Sequence, residues 1–350
     1  MKNYKFFNNS EKAWKVMFEA ISGAKKSIYL EMYIFQNDME KFDFFNLLKE
    51  KGKLGLQIKL IIDSFGSTSL SNSAISELEK AGVEILSLSY LLHRMHRKVL
   101  VVDERIAFIG GVNIHQTARF WNDLMVSIKG KLVKKVVASF RKSYINAGGK
   151  DPILLPKRNE FTTAKDDIWI VDHSPVRKKF HFKRIYKKYL NNAKNSIILI
   201  TPYFAPQRWL SGALHQAVLR GVNVEILIPQ TTDHRFIMDR VNHFYVYKLS
   251  KLGITFYMGE KMNHAKVIII DQKEAMVGSL NLDFVSFDYN SEVGIFFKDL
   301  EVVSKLCYIT EEWKKDSILF DYKTYKPKWF DYILSPIINL ISIFYKIFLD

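Results

Sequence analysis

Two stretches of this 350-residue chain carry the same residues at the same spacing. The first reads His96, Lys98, four apolar residues, Asp103, and then Gly110, Gly111 and Asn113. The second reads His264, Lys266, four apolar residues, Asp271, and then Gly278, Ser279 and Asn281. The offset is 168 residues for the His, the Lys, the Asp and the Asn alike. One such match could be chance. Two with one internal spacing and one offset require the chain to fold as two copies of a common unit.

Weaker echoes support the duplication. Ala24-Lys25-Lys26-Ser27-Ile28 is answered by Ala193-Lys194-Asn195-Ser196-Ile197. Gly55-Leu56-Gln57-Ile58 is answered by Gly221-Val222-Asn223-Val224, and Asp123 by Glu292. A period near 168 is too long for a solenoid repeat. Within the first copy, apolar periodicity predicts helices over 11–23, 42–51, 74–80 and 131–146. Runs of β-branched and aromatic residues predict strands over 27–35, 55–63, 83–86, 98–102 and 106–109. Alternating strands and helices predict an α/β fold, each copy a mixed sheet flanked by helices on both faces. Gly148, Gly149, Lys150, Asp151 and Pro152 make the best linker. The expected division is therefore residues 1–150, residues 151–322, and a tail over 323–350.

The excess of 52 Lys and Arg over 36 Asp and Glu gives a formal charge of +16. It favours an anionic partner, whether nucleic acid, an anionic lipid surface or a phosphate ester. The single cysteine, Cys307, excludes an intrachain disulfide and fits a reducing compartment. The first residues carry no apolar run typical of a signal peptide, and no uninterrupted apolar run of about 18 residues predicts a spanning helix.

The repeated residues suit phosphate chemistry. A His can attack phosphorus or carry a proton near neutral pH, and Lys, Asn and Ser can surround phosphate oxygens. If the halves pack with pseudo-twofold symmetry, two His face one phosphate from opposite sides. One attacks in line while the other protonates the leaving oxygen. Each imidazole needs an acceptor for its second nitrogen, and Asp123 and Glu292 occupy equivalent places for that task. Asp103 and Asp271 end the apolar runs and are expected to hold a turn rather than touch substrate. No cluster has metal-ligand spacing, so neither a metal nor another cofactor is expected. His93, three residues before His96, lacks further ligands. His115, His173, His181, His215, His234 and His243 read as ordinary histidines without matched partners.

The double motif resembles the phospholipase D superfamily. The flanking segments Glu31-Met32-Tyr33-Ile34-Phe35, Phe120-Trp121-Asn122-Asp123, Thr201-Pro202-Tyr203-Phe204-Ala205-Pro206, Asn281-Leu282-Asp283 and Leu334-Ser335-Pro336 are similar to bacterial cardiolipin synthases. The resemblance covers nearly the whole chain from about residue 9. It implies two pseudo-twofold phospholipase D-like domains. It also implies transfer of a phosphatidyl group, through a phosphohistidine, to the hydroxyl of phosphatidylglycerol or another alcohol. A hydrolase of the same fold acting on phospholipid or nucleic acid is the alternative.

The implied catalytic set is His96, Lys98, Asp103, Asp123, His264, Lys266, Asp271 and Glu292. Asn113, Asn281 and Ser279 are phosphate binders alongside the two lysines. His96 is expected to be the nucleophile and His264 the acid. The sequence departs from the family in lacking paired N-terminal membrane helices, in a short segment between Asn113 and Trp121, and in Gly111 where the second copy has Ser279.

Two basic or apolar segments have two readings each. The run over 177–188 is either a solvated helix face or a patch for lipid headgroups or nucleic acid. Over 335–350, polar Ser335, Asn339, Ser342 and Lys346 form one narrow stripe on an otherwise apolar helix. That helix either lies in an anionic membrane interface, preceded by Lys323, Lys326 and Lys328, or docks on the protein itself. The first option makes the protein peripheral on the cytoplasmic face of the cell membrane. Oligomeric state is not legible.

Overall fold

The structure is a computed structural model that describes residues 3–90, 93–154, 167–175, 179–233 and 238–332. The first half runs β1 (Tyr4–Phe7), α1 (Ser10–Ser22), β2 (Ser27–Met32), α2 (Phe44–Lys53), β3 (Gln57–Asp63), α3 (Asn72–Lys80) and β4 (Val83–Tyr90). It continues with β5 (His93–Arg94), β6 (Val99–Val102), β7 (Ile106–Gly110), β8 (Met125–Lys129) and α4 (Lys131–Asn146). The sheet order is β1-β8-β7-β6-β2-β3-β4-β5. Strands β2, β3 and β4 are parallel, and β6, β7, β8 and β1 continue antiparallel from β2.

The second half repeats the plan. It runs β9 (Ile168–His173), α5 (His181–Asn192), β10 (Ser196–Ile200), β11 (Phe204–Ala205), α6 (Arg208–Leu219), β12 (Asn223–Pro229) and α7 (Met238–Ser250). Then come β13 (Thr255–Gly259), β14 (Val267–Ile270), β15 (Glu274–Gly278), β16 (Leu282–Asp283), α8 (Phe284–Asp288), β17 (Glu292–Phe297), α9 (Leu300–Lys315) and β18 (Ser317–Leu319). Its sheet order is β18-β13-β12-β10-β14-β15-β17-β9. The parallel set β10, β12 and β13 is the counterpart of β2, β3 and β4.

The four apolar residues of each motif explain the layering. Side chains alternate along a strand, so a run apolar on both faces must be covered on both. Val99 and Val101 enter a core shared with Val267 and Ile269 of the other half, with α4 and α9 contributing Phe140 and Leu306. Leu100 and Val102 face α1 and α2 through Trp14 and Leu48. Ile268 and Ile270 face α5 and α6 through Leu190 and Leu214. The two sheets thus share one apolar layer into which α4 and α9 also pack, while α1–α3 and α5–α7 cover the outer faces. Each such side chain removed from water contributes about 1.5–3 kcal/mol before ordering costs.

The expected strand over 27–35 ends earlier, at Met32. Beyond it the chain leaves the sheet, and Ile34 and Gln36 bond instead to Ile114, at 3.0 and 2.9 Å. The strand from Val83 runs past its expected end to Tyr90. In the basic run, α5 buries Phe182, Tyr186, Tyr189 and Leu190 on one face, while Lys183 and Lys187 lie over the Trp209 ring. Lys323, Lys326 and Lys328 are exposed, and the expected amphipathic helix over 335–350 lies outside the described residues. No helix among the described residues is long and apolar enough to cross a membrane.

Candidate active site

The two motifs meet across the sheet-to-sheet junction. The backbone N–H of His96 donates to Ser291 O at 2.9 Å, and that of Ser291 donates to Arg94 O at 2.8 Å. The pattern recurs on the other side: His264 N–H donates to Asn122 O at 2.7 Å, and Asn122 N–H to Met262 O at 2.9 Å. Each His-bearing segment is therefore stitched to the acid-bearing segment of the opposite half.

The side chains follow the same crossing. His96 Nδ1 lies 3.0 Å from both carboxylate oxygens of Glu292. His264 Nδ1 lies 2.7 Å from Asp123 Oδ2. With Nδ1 donating to a carboxylate, the neutral imidazole keeps its lone pair on Nε2. Tyr33 sets its ring edge against His96 at 4.7 Å between centroids, and Trp121 and Tyr203 flank His264 at 5.6 and 6.5 Å. Both histidines line one cavity of about 400 Å³, together with Asn113 and Asn281.

The lysines sit beneath. Lys98 Nζ donates to His96 O at 2.7 Å, and Lys266 Nζ donates to His264 O. Both are fully or almost fully buried. Burial lowers the Lys266 ammonium to about 8, against the opposing pull of Asp123 and Glu292. Lys98 is lowered well below the usual lysine range for the same reason. Burial likewise lowers His264 to about 4, and the Lys266 charge adds to the effect. His96 is lowered by burial and by the charges of Lys98 and Lys266.

The two acids differ. Burial pushes Asp123 up, but the imidazole of His264 and the Lys266 ammonium outweigh it and hold the carboxyl below its usual range. Burial raises Glu292 to about 7 despite Lys98 and a hydrogen bond from Ser279. A buried site with two cationic groups short of compensating charge is a ready receptor for an anion.

Ser279 is the support for Glu292: its hydroxyl donates to Oε2, and Asn290 Nδ2 donates to Oε1 at 3.4 Å. Gly111 explains the contrast between the copies. A Cβ there would sit 2.3 Å from Asp123 Oδ1. The short Asp needs the space that a side chain would take, whereas the longer Glu292 leaves room for Ser279. Asn113 Oδ1 accepts from Ile34 N–H at 3.3 Å, while the buried Asn281 Oδ1 has no hydrogen-bond partner.

Asp103 and Asp271 do not join the cavity. The Asp103 carboxylate accepts from the N–H groups of Lys25, Lys26 and Ser27, and Asp271 from those of Lys194, Asn195 and Ser196. Both have φ near +50°, at 53° and 52°, as the first corner of the hairpin after the motif strand. They tie that turn to the start of the neighbouring strand, which is why the 24–28 segment has its echo at 193–197. Of the implied catalytic set, these two lie away from the cavity lining and hold the turns, as their place at the end of the apolar runs suggests.

Other cavity residues were not in the expected set. Tyr33, Arg94, Trp121, Tyr203, Asp233 and Asp283 line it. So does His115, read from sequence as ordinary. Its Nδ1 bonds Thr117 Oγ1 at 2.7 Å, and burial, together with nearby His264, lowers it to about 4. His115 and Asp283 stand at matching places, each two residues beyond the motif Asn, and position rather than residue type was the signal. Arg97, between the two motif residues, is buried in a separate network with Glu31 at 2.6 Å, Ser139 at 2.7 Å and Asp172 at 3.1 Å.

A duplicated sheet unit with paired His–acid couples around one anion-receptive cavity is the architecture of the phospholipase D class. A family model described as "Cardiolipin synthase, PLD-like domain" matches residues 17–144 and 186–313, and the chain belongs to that family. It is 32% identical over 344 residues to a cardiolipin synthase of Clostridium perfringens (strain SM101 / Type A), covering 87% of this chain and 71% of that protein. It is 29% identical over 325 residues to the probable cardiolipin synthase YwiE of Bacillus subtilis (strain 168), covering 87% of this chain. The chain spans 64% of the length of that relative and 62% of a cardiolipin synthase 2 from Bacillus cereus. In fold it is similar to a phosphatidylserine synthase from Haemophilus influenzae Rd KW20, with a TM-score of 0.78 and 13% identity over 99% of this chain and 93% of that one.

Proposed function

We propose that the protein is a phosphatidyltransferase of the cardiolipin synthase type, with residues 1–150 and 151–322 as its two catalytic domains. The observation that carries this reading is the crossed pairing of His96 with Glu292 and His264 with Asp123 at one cavity.

In the first step His96 Nε2 attacks the phosphorus of a phospholipid and the bond to the leaving alcohol breaks. His264, protonated and held by Asp123, gives its Nε2 proton to the leaving oxygen. The incoming phosphate charge opposes Lys98 and Lys266 and raises the His264 pKa from its empty-site value. The lysines, Asn113 and Asn281 surround the phosphoryl oxygens. In the second step neutral His264 takes the proton of an acceptor hydroxyl, whose oxygen displaces His96 from phosphorus. Ionised Asp123 favours a protonated partner, and the weaker acid Glu292 favours a neutral one. That contrast supports His96 as nucleophile and His264 as acid.

The preferred acceptor is the free hydroxyl of phosphatidylglycerol, met at the cytoplasmic face of the cell membrane. The test offers purified protein phosphatidylglycerol vesicles and, separately, single-stranded DNA, both with a chelator. Mass spectrometry should find cardiolipin and glycerol. Phosphatidic acid alone would make the enzyme a phospholipid hydrolase. Cleaved DNA with untouched lipid would replace the reading with that of a nuclease.

A further inference from the structure

Two large apolar side chains are held in solvent beside the cavity. Phe65 is 63% exposed and Phe120 is 68% exposed. Neither belongs to a loose loop. Asp63 Oδ1 accepts from the N–H groups of Phe65 and Gly66, at 2.9 and 2.8 Å, and its Oδ2 accepts from Met95 N–H at 2.8 Å. Ser67 Oγ donates to Tyr33 O at 2.9 Å, and a Cβ on Gly66 would meet that same Tyr33 oxygen at 2.3 Å. The loop is clamped against a cavity wall with its phenylalanine outward. Phe120 directly precedes cavity-lining Trp121, whose N–H donates to Ala118 O at 3.0 Å.

Each ring carries an arginine. The Arg94 guanidinium lies 3.8 Å from the Phe65 centroid and also lines the cavity, and Arg119 lies 5.0 Å from the Phe120 centroid. Arg119 is also paired with Glu11 at 2.8 Å. Apolar groups that a fold spends hydrogen bonds to hold outward, paired with cations, match the boundary between acyl chains and anionic headgroups. The formal charge of +16 has the sign such a surface attracts.

We infer that Phe65 and Phe120 form an aromatic rim that dips into an anionic lipid surface and seats the cavity mouth on it. The inference rests on the phosphatidyltransferase reading for its biological meaning, but its test reads partition rather than turnover. Full-length protein is mixed with vesicles of phosphatidylglycerol and phosphatidylcholine, or of phosphatidylcholine alone. Hydrogen exchange of the unmodified protein should show new protection over 64–70 and 116–121 with the anionic vesicles. The F65S/F120S variant should partition at least tenfold more weakly, while F65L/F120L partitions like the parent. Turnover of a short-chain substrate below its micelle concentration should stay within twofold of the parent.

Protection confined to 323–332 and beyond, or unchanged partition of F65S/F120S, overturns the rim. Should the serine pair fail to fold, the exchange pattern of the unmodified protein decides alone. Rim insertion without any lipid turnover would overturn the phosphatidyltransferase reading and leave the surface standing.

Discussion

Asp123 Oδ2 lies 2.7 Å from His264 Nδ1, although the two residues are 141 positions apart and belong to different repeats. The same crossing joins Glu292 to His96 over 196 positions. The two couples are equivalent in topology and different in chemistry, so their variants should separate.

Asp123→Asn weakens the couple assigned to leaving-group protonation, and Glu292→Gln weakens the one assigned to the nucleophile. Each should lower the rate about 10²-fold or more with natural lipid. A substrate with a nitrophenolate leaving group needs no protonation. It should restore most of the first step in Asp123→Asn and little in Glu292→Gln. Equal rescue of both, measured as the nitrophenolate burst, would reverse or abolish the assignment.

His96→Ala and His264→Ala should each remove nearly all turnover, because nucleophile and acid act as a unit. Acid-quenched mass spectrometry of a slow variant should place the phosphatidyl adduct on His96. An adduct found only on His264 would exchange the two roles.

At saturating substrate, where the bound phosphate keeps His264 protonated, the pH profile of kcat should be a bell. Glu292, raised to about 7, must lose its proton to support the His96 couple, so the rate climbs through that value. Lys266, lowered to about 8, loses its charge as pH rises further, so the rate then falls. Glu292→Gln should erase the acidic limb and leave the alkaline one.

Gly111→Ala adds a methyl group 2.3 Å from Asp123 Oδ1. The carboxylate must move, and it cannot do so without leaving His264. The rate should fall at least tenfold, while Gly148→Ala, in open space at a positive φ, should affect only stability. Parallel melts and initial rates distinguish the two.

Asp271→Asn should preserve most of the rate and cost about 1–3 kcal/mol, since a charged acceptor of several backbone N–H groups is replaced by a neutral one. Differential scanning calorimetry reads the loss. A large fall in rate without a fall in Tm would return Asp271 to the catalytic set.

Much of the architecture was legible because the repeat states each signal twice. The apolar runs at Val99 and Val267 are buried on both faces, and period and composition said so directly. His96, Lys98, Asn113 and their counterparts were legible for the same reason. Which acid serves which histidine was not, since a partner 196 residues away leaves no local trace. His115 was passed over because the matching position holds Asp283. Comparison of copies finds what both halves keep, and a cavity also needs what they do not. Tyr33 was hidden differently: it lies inside a run that reads as strand, and the early departure of the chain from β2 places it beside His96.

The crossing of the couples bears on how such a chain can evolve. Duplication ordinarily releases one copy to drift while the other keeps the work. Here each copy carries one histidine and the carboxylate that serves the other copy's histidine, so decay in either damages both couples at once. Neither half by itself holds a complete couple. The symmetry of the fold is therefore maintained by mutual dependence, while the Asp–Gly and Glu–Ser solutions beside the two histidines mark where divergence was still permitted.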